Sequence, residues 1–368
     1  MRIRAPHLYV HLPFCAHRCG YCDFVTATGR DHLHGAYVDA LLRELREEHD
    51  GSPVETIFLG GGTPTFTEPA ALERLLAALP PAAEATVEAN PETVTPELAA
   101  LLRRHGVNRV SLGAQSFEPR LLEVLERVAG PDDVRRAVYA LRDAGFDNIS
   151  LDLIYGIPGQ TPAELSSDLA EALALEPEHL SAYELEAKPG TRFTHAHGAE
   201  LERQAESMES YFELVVETLT DAGYRWYETA NFCRADAGGG RDLRARHNLG
   251  YWLAHDYLGL GVGAVSTIEK RRWRNAPSLR GYVTALAEGE RPPREVEELP
   301  AEVRETERVM LGLRLDEPVT VSSAPGGVDA SELERLERLG LVRRDGRGVT
   351  LTPRGRFVGD AVTAALLA

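Results

Sequence analysis

A chain of 368 residues, 43% of them hydrophobic, can bury a full core and leave a smaller domain beside it. A formal net charge of −17 repels phosphate backbones over the surface as a whole and argues against general nucleic-acid binding. No apolar run approaches the roughly 20 residues needed to cross a bilayer, and no basic segment followed by an apolar one opens the chain. The expectation is a cytoplasmic protein without a membrane span, for which a peripheral contact stays open.

His7 to Leu12, bounded by Pro6 and Pro13, reads as a first strand. Val38, Leu41, Leu42 and Leu45 then recur at helical spacing, and that helix stops near Gly51 and Pro53. The alternation repeats. Strands are expected at Thr56 to Leu59, Ala85 to Ala89, Arg109 to Leu112, Ile149 to Ile154 and Leu180 to Leu185. Helices are expected between them at Glu68 to Leu79, Pro96 to His105, Leu121 to Val128, Val134 to Ala144 and Pro162 to Leu175. Gly106 and Gly145 are placed to close two of these helices in a left-handed cap. Six strands alternating with helices imply parallel strands joined by right-handed crossovers, an α/β fold with an open, partial (β/α)6 barrel. Segments that follow the strands then gather at one rim.

Three of the four cysteines, Cys15, Cys19 and Cys22, follow the first strand within one loop. Spacing alone leaves several uses open: buried thiols, a zinc site completed by His11 or His17, or a cluster with one iron left for a small molecule. A disulfide is disfavoured, since nothing routes the chain to an oxidising compartment. Cys233 stands apart and reads as an ordinary thiol. Gly60-Gly61-Gly62-Thr63-Pro64-Thr65 follows the second strand. Three glycines supply no side chain to pack and let main-chain groups approach a ligand. No Gly-Lys-Ser/Thr follows, so the run is not a phosphate-binding loop.

The Cys-x3-Cys-x2-Cys triplet, Tyr9 to Cys15, Gly60 to Thr65, Gln115 and Asp152 to Gly159 together resemble the radical S-adenosylmethionine (SAM) enzymes, within them the coproporphyrinogen-oxidase-like branch. The resemblance runs over nearly the whole chain from His7. It implies a radical SAM barrel, a [4Fe-4S] cluster on Cys15, Cys19 and Cys22, and SAM on the fourth iron, cleaved by one electron from a reductant such as a flavodoxin or ferredoxin. It further implies SAM contacts at Tyr9, Tyr21, Gly62, Thr63, Glu88, Gln115, Arg127 and Asp152. Glu88 and Asp152 would accept from the methionine ammonium or a ribose hydroxyl, Arg127 would pair with a carboxylate, and Tyr21 would flank the adenine.

The second half separates the branches. True oxidases of this branch carry a further cysteine two residues after the triplet, where this chain has Phe24. Tyr227 to Phe232 and the run His247-Asn248-Leu249-Gly250-Tyr251-Trp252 resemble the heme-chaperone group instead. That resemblance implies heme as a third bound group, with His247, Asn248, Tyr251 and Trp252 as its contacts, and an acceptor protein to which heme is passed. The alternative is an oxygen-independent coproporphyrinogen III dehydrogenase or another radical enzyme acting on a tetrapyrrole. A zinc-stabilised interaction protein is the non-enzymatic reading. Two family histidines are replaced, by Ala129 and Val265.

From about Leu299 the composition changes. Glu302 to Gly312 and Ser331 to Leu339 read as helices, and Leu341 to Leu351 as a hairpin turning at Asp345-Gly346. This resembles a winged-helix-like α+β tail, and its alternating charges favour a docking or lid module over nucleic-acid binding. The expected division is 1–190 for the barrel, 191–298 for connecting helices and the heme-marker segment, and 299–368 for the tail. Ala235 to Gly240 reads as a flexible loop.

Overall fold

The structure, a computed structural model, describes residues 2–188, 192–235, 240–321 and 327–367. The middle of the loop expected at Ala235 to Gly240 lies outside the described residues. Six parallel strands form the centre: β1 (His7–Leu12), β2 (Val54–Gly61), β3 (Ala82–Ala89), β4 (Arg109–Gln115), β5 (Ile149–Tyr155) and β6 (His179–Glu184). The crossovers are α1 (His34–Glu48), α2 (Pro69–Ala78), α3 (Pro96–Arg104), α4 (Pro119–Val124) with α5 (Pro131–Asp143), and α6 (Pro162–Ala174). Proline opens five of these helices, where its missing N–H has no intrahelical partner to lose. Thr161 and Glu164 close a capping box on α6.

Strand alternation sets the character of the interior. Leu8, Val10 and Leu12 of β1 are fully buried in the hydrophobic core, as are Leu59, Val87, Val110, Leu112 and Leu151 of its neighbours. The alternate residues share the other face, and apart from Phe58 and Ile154 most of them are polar. His7 pairs with Thr56 and Thr56 with Glu84; Glu88 pairs with Ser111, and Asp152 with Gly113 and Ser181. A sheet with an apolar outside and a polar inside gives a lumen that can hold a polar ligand.

Where connecting helices are expected between 191 and 298, the chain also builds six strands. After α7 (Arg192–Gln204) and α8 (Met208–Asp221), the hairpin β7 (Tyr224–Glu228) and β8 (Asn231–Arg234) adds antiparallel to β6. After α9 (Arg246–Trp252), β9 (Tyr257–Leu260) pairs parallel with β1. Beyond it lie β10 (Val265–Ile268), β11 (Arg271–Asn275) and, past α10 (Leu279–Glu288), β12 (Arg294–Glu298). The sheet runs β12-β11-β10-β9-β1-β2-β3-β4-β5-β6-β8-β7 and does not close, so the barrel is open and partial. The tail comprises α11 (Ala301–Gly312), α12 (Ala330–Arg338), the hairpin β13 (Val342–Asp345) and β14 (Gly348–Leu351), α13 (Pro353–Phe357) and α14 (Gly359–Leu367). Its own core gathers Val309, Leu313, Leu333, Leu336, Val349 and Leu366. Polar contacts tie it to β7: Arg225 with Asp316, Arg314 with Glu228, and Arg356 with the carbonyl of Trp226. Among the described residues no helix is long and apolar enough to cross a membrane.

Candidate functional site

The cysteine loop leaves the top of β1 and is fastened at both ends. Cys15 N donates to Ala27 O at 3.0 Å, Ala27 N donates to Pro13 O at 2.7 Å, and Phe14 bridges to Ala27. The glycine run of β2 lies against it, with Gly62 N donating to Leu12 O and Thr63 N to Phe14 O, both at 2.8 Å. Only glycine fits here. A Cβ at Gly62 would stand 2.6 Å from Pro13 O, and Gly61 takes a φ of +112°.

A chain of polar contacts links two of the cysteines. Thr63 Oγ1 donates to Cys15 Sγ at 3.6 Å and accepts from Asn90 Nδ2 at 3.0 Å. Arg127 Nη2 donates to Asn90 Oδ1 at 2.9 Å and to Gly113 O at 2.8 Å, while its Nη1 reaches Cys19 Sγ at 3.8 Å. Arg127 points inward because Glu126, at φ +55°, reverses the chain after α4. Burial pushes the Cys15 and Cys22 thiols up, partly offset at Cys15 by the Thr63 hydroxyl, so binding as thiolates would release protons.

Among the described residues no three His, Cys, Asp or Glu side chains converge as they would around a single ion. A four-iron cluster takes each thiolate on a separate iron and does not require that convergence. Three thiols in one loop, with a guanidinium beside them to offset thiolate charge, fit such a cluster.

Below the loop, strand ends supply the next ring of groups. Glu88 Oε2 accepts from Gly61 N at 3.2 Å, and burial first, then the charge of Asp152, pushes its carboxyl up to about 7. Burial also raises Asp152, against the pull of hydrogen bonds from Ser181 and Ser111, whose Oγ lies 3.0 Å from its Oδ2. Gln115 stands at φ +67° beside an irregularity in the β4–β5 pairing. Glu88 and Asp152 thus stand as a pair of buried carboxyl groups on one wall, each raised by burial, a setting that a cationic group would relieve.

One cavity of about 1180 Å3 joins these parts. Its walls include Cys15, Cys19 and Cys22 together with Tyr21, Gly62, Thr63, Glu88, Gln115, Arg127 and Asp152, seven of the eight expected SAM positions. The eighth, Tyr9, is not on the wall: its hydroxyl meets His11 Nδ1 at 3.0 Å and its ring stacks on Phe58. Asn90 and Ser111 were missed in the sequence, although Asn90 follows Glu88 by two residues and precedes a proline.

The expected heme contacts divide. Trp252 lines the cavity, with the Arg314 guanidinium 4.6 Å over its ring. His247, Asn248 and Tyr251 do not. His247 is 1% exposed, with Nδ1 2.7 Å from Thr56 Oγ1 and Nε2 2.8 Å from the Tyr251 hydroxyl. Both ring nitrogens are occupied. The Thr56 hydroxyl also meets His7 Nδ1 at 2.8 Å, and His7 Nε2 lies 3.1 Å from His255 Nδ1. Glu84 caps α9 by accepting from His247 N at 3.1 Å, and a Cβ at Gly250 would sit 2.6 Å from the His7 ring. This segment is seated under the N-terminal end of the sheet. Phe24, in the place of the oxidases' extra cysteine, is 69% exposed on the cavity wall. Cys233 is buried on β8, its thiol pushed up to about 11 by that burial. Ala129 is buried after α4, and Val265 lies on β10 opposite Arg274.

Residues 9–172 match the radical SAM superfamily, and residues 299–358 match the HemN C-terminal domain. The chain is 38% identical to the heme chaperone HemW of Mycobacterium tuberculosis, over 98% of this chain and 94% of that protein. It is 35% identical to the heme chaperone HemW of Bacillus subtilis over 98% of each. In fold it is similar to the coproporphyrinogen III oxidase HemN of Escherichia coli, with a TM-score of 0.79 over 99% of this chain and 90% of that one, at 24% identity.

Proposed function

The chain belongs to the heme chaperone HemW family of the radical SAM superfamily, and on that footing we propose that it binds heme and hands it to an acceptor protein. A [4Fe-4S] cluster and SAM would share the cavity with that cargo. The observation that carries this reading is that one cavity of about 1180 Å3 is lined both by all three cysteines and by apolar side chains of the tail, Met310, Leu311, Leu313 and Val358 among them.

Cys15, Cys19 and Cys22 would hold the cluster, and Arg127, beside Cys19, would offset its thiolate charge. Glu88 and Asp152 would receive the cationic end of SAM, exchanging a costly pair of buried carboxylates for an ion-paired set. Gly62 and Thr63 would bring main-chain groups against it, Gln115 would offer an amide from its left-handed position, and Tyr21 would flank its apolar part. When bound, the reduced cluster supplies one electron that cleaves the sulfonium of SAM. The protein's part is to position the two and exclude water. Heme contact is proposed for Trp252, on the cavity wall, while His247, Asn248 and Tyr251 are proposed to hold α9 in place. The expected division at 190 and 298 is kept as a working one, with the tail as a docking or lid module. We place the protein in the cytoplasm, served by a flavodoxin- or ferredoxin-like reductant.

Iron, acid-labile sulfide and zinc analysis of anaerobically purified protein, followed by incubation with SAM, reductant and coproporphyrinogen III, tests this reading. Four irons and four sulfides per chain without decarboxylated product are expected. One zinc without labile sulfide, or turnover to the decarboxylated porphyrinogen, would overturn it.

A further inference from the structure

The cavity is larger than one cofactor requires. Pockets for a single drug-sized ligand span roughly 300–1,000 Å3, whereas this one encloses about 1180 Å3. The side that the tail supplies differs in character. Among the described residues, ten large apolar side chains are strongly exposed, and four of them line this cavity: Phe24, Tyr183, Met310 and Val358. Phe24 belongs to the cysteine loop and Tyr183 to β6 beside Asp152, whereas Met310 and Val358 come from the tail. Apolar surface gathered this way on the wall of one cavity marks a ligand face more than a solvated one.

A cation stands on the same wall. Arg356 donates one bond, Nη1 to Trp226 O at 2.6 Å, and lies 3.6 Å over the Trp226 ring, while its Nε and Nη2 are buried without a partner. The two carboxylates nearest in its field are committed elsewhere, Asp316 to Arg225 and Glu228 to Arg314. No carboxylate among the described residues lies within ion-pair distance of Arg356. Burial pushes this guanidinium down to about 10, as expected for a cation lacking its own counter-ion. A buried guanidinium with two unused donors beside an apolar wall suits a flat aromatic ligand that carries carboxylates.

Resting on the heme-binding reading above, we propose that the tetrapyrrole lies on this tail side of the cavity, its ring against Met310 and Val358 and a propionate toward Arg356. The tail thereby forms one wall of the cargo site, and cargo and SAM share one cavity. His247 is not needed as a contact.

Absorption titration of hemin into the full-length, anaerobically reconstituted protein tests this placement. Met310→Glu puts a charge on the ring face at a position 42% exposed, where folding tolerates it, and is expected to weaken hemin binding at least tenfold. The matching exchange Val296→Glu, on the exposed edge strand β12 and off the cavity, should leave the titration unchanged. Arg356→Gln should weaken hemin about tenfold yet bind hemin dimethyl ester as wild type does, since the ester has no free propionate. Should Arg356→Gln fail to fold, Met310→Glu decides alone. Wild-type affinity in both variants would overturn the placement while leaving the heme reading standing, whereas wild type that takes up no hemin would sink the heme reading itself.

Discussion

Arg127 Nη1 lies 3.8 Å from Cys19 Sγ, and its Nη2 is linked through Asn90 and Thr63 to Cys15 Sγ. Two cysteines four residues apart in the chain are thus held by residues from three separate connections, Thr63 after β2, Asn90 after β3 and Arg127 after α4. Hydrogen-bond partners behind metal ligands typically carry ten- to a hundredfold in metal affinity. Arg127→Ala should lose iron to a chelator ten- to a hundredfold more readily than wild type, with Arg127→Lys in between. Iron remaining per chain after a timed chelator challenge reads this out, and equal retention in all three proteins would dissociate Arg127 from the cluster.

Glu88 gives a pH signature. Its carboxyl is raised to about 7 by burial and by Asp152, so it is largely neutral below that pH and charged above it. The carboxylate pairs with an ammonium group far more strongly than the neutral acid does, so SAM affinity should rise as pH climbs through 7 and level off above 8. Glu88→Gln should bind SAM more weakly and without that dependence. Calorimetric titrations at several pH values in buffers of differing ionisation heat would show the proton released on binding.

The buried histidines shift the other way from Glu88, and they make the stability of the folded protein depend on pH. Burial holds His247 down at about 3 and His7 at about 4. Groups depressed on folding contribute stability that is present above the ordinary histidine pKa near 6.5 and lost as pH falls toward the folded values. Chemical denaturation midpoints should therefore drop between pH 6.5 and 4. Thr56→Val, which leaves Nδ1 of both histidines unpartnered, should cost about 1–3 kcal/mol at neutral pH. His247→Asn should melt earlier and still bind hemin; loss of the heme band in that variant alone would return His247 to the heme site.

Glu228 is fully buried and pairs with Arg314, which is 35% exposed. Removing one partner of a buried pair costs about 3–5 kcal/mol, reduced to about 2 kcal/mol here because solvent screens the arginine. Arg314→Ala should loosen the tail from β7, seen as faster proteolytic release of a C-terminal fragment beginning near residue 299. A digestion pattern identical to wild type would show that the other ties suffice.

The central strands were legible because apolar residues alternate with polar ones between proline and glycine stops. Most ends that shifted did so where pairing extends a strand past its apolar run, as at Val54 and Gln115, while β6 runs His179–Glu184 and stops one residue short of Leu185. The outer strands were not legible. Arg294-Glu-Val-Glu-Glu298 reads as a solvated charged face, and it becomes a strand only because β11 offers an edge with arginines opposite its glutamates. Much of the site could be read because strand-end loops must converge at one rim. The route of Arg127 could not, since it depends on the left-handed turn at Glu126, and the tail's wall could not, since nothing local says which face of α11 meets the barrel. His247 shows a different limit. Its motif stands out in the sequence, but which face of α9 packs inward is settled by Gly250 fitting against His7 and by the Thr56 hydroxyl between two imidazoles.

The heme reading meets its most direct test in hemin titration of the wild-type protein carrying its cluster, followed by absorption. Saturation at one hemin per chain with a shifted heme band, and release of that band on adding a heme-free acceptor, is the result expected. A spectrum that remains the plain sum of free hemin and cluster across the titration would contradict it.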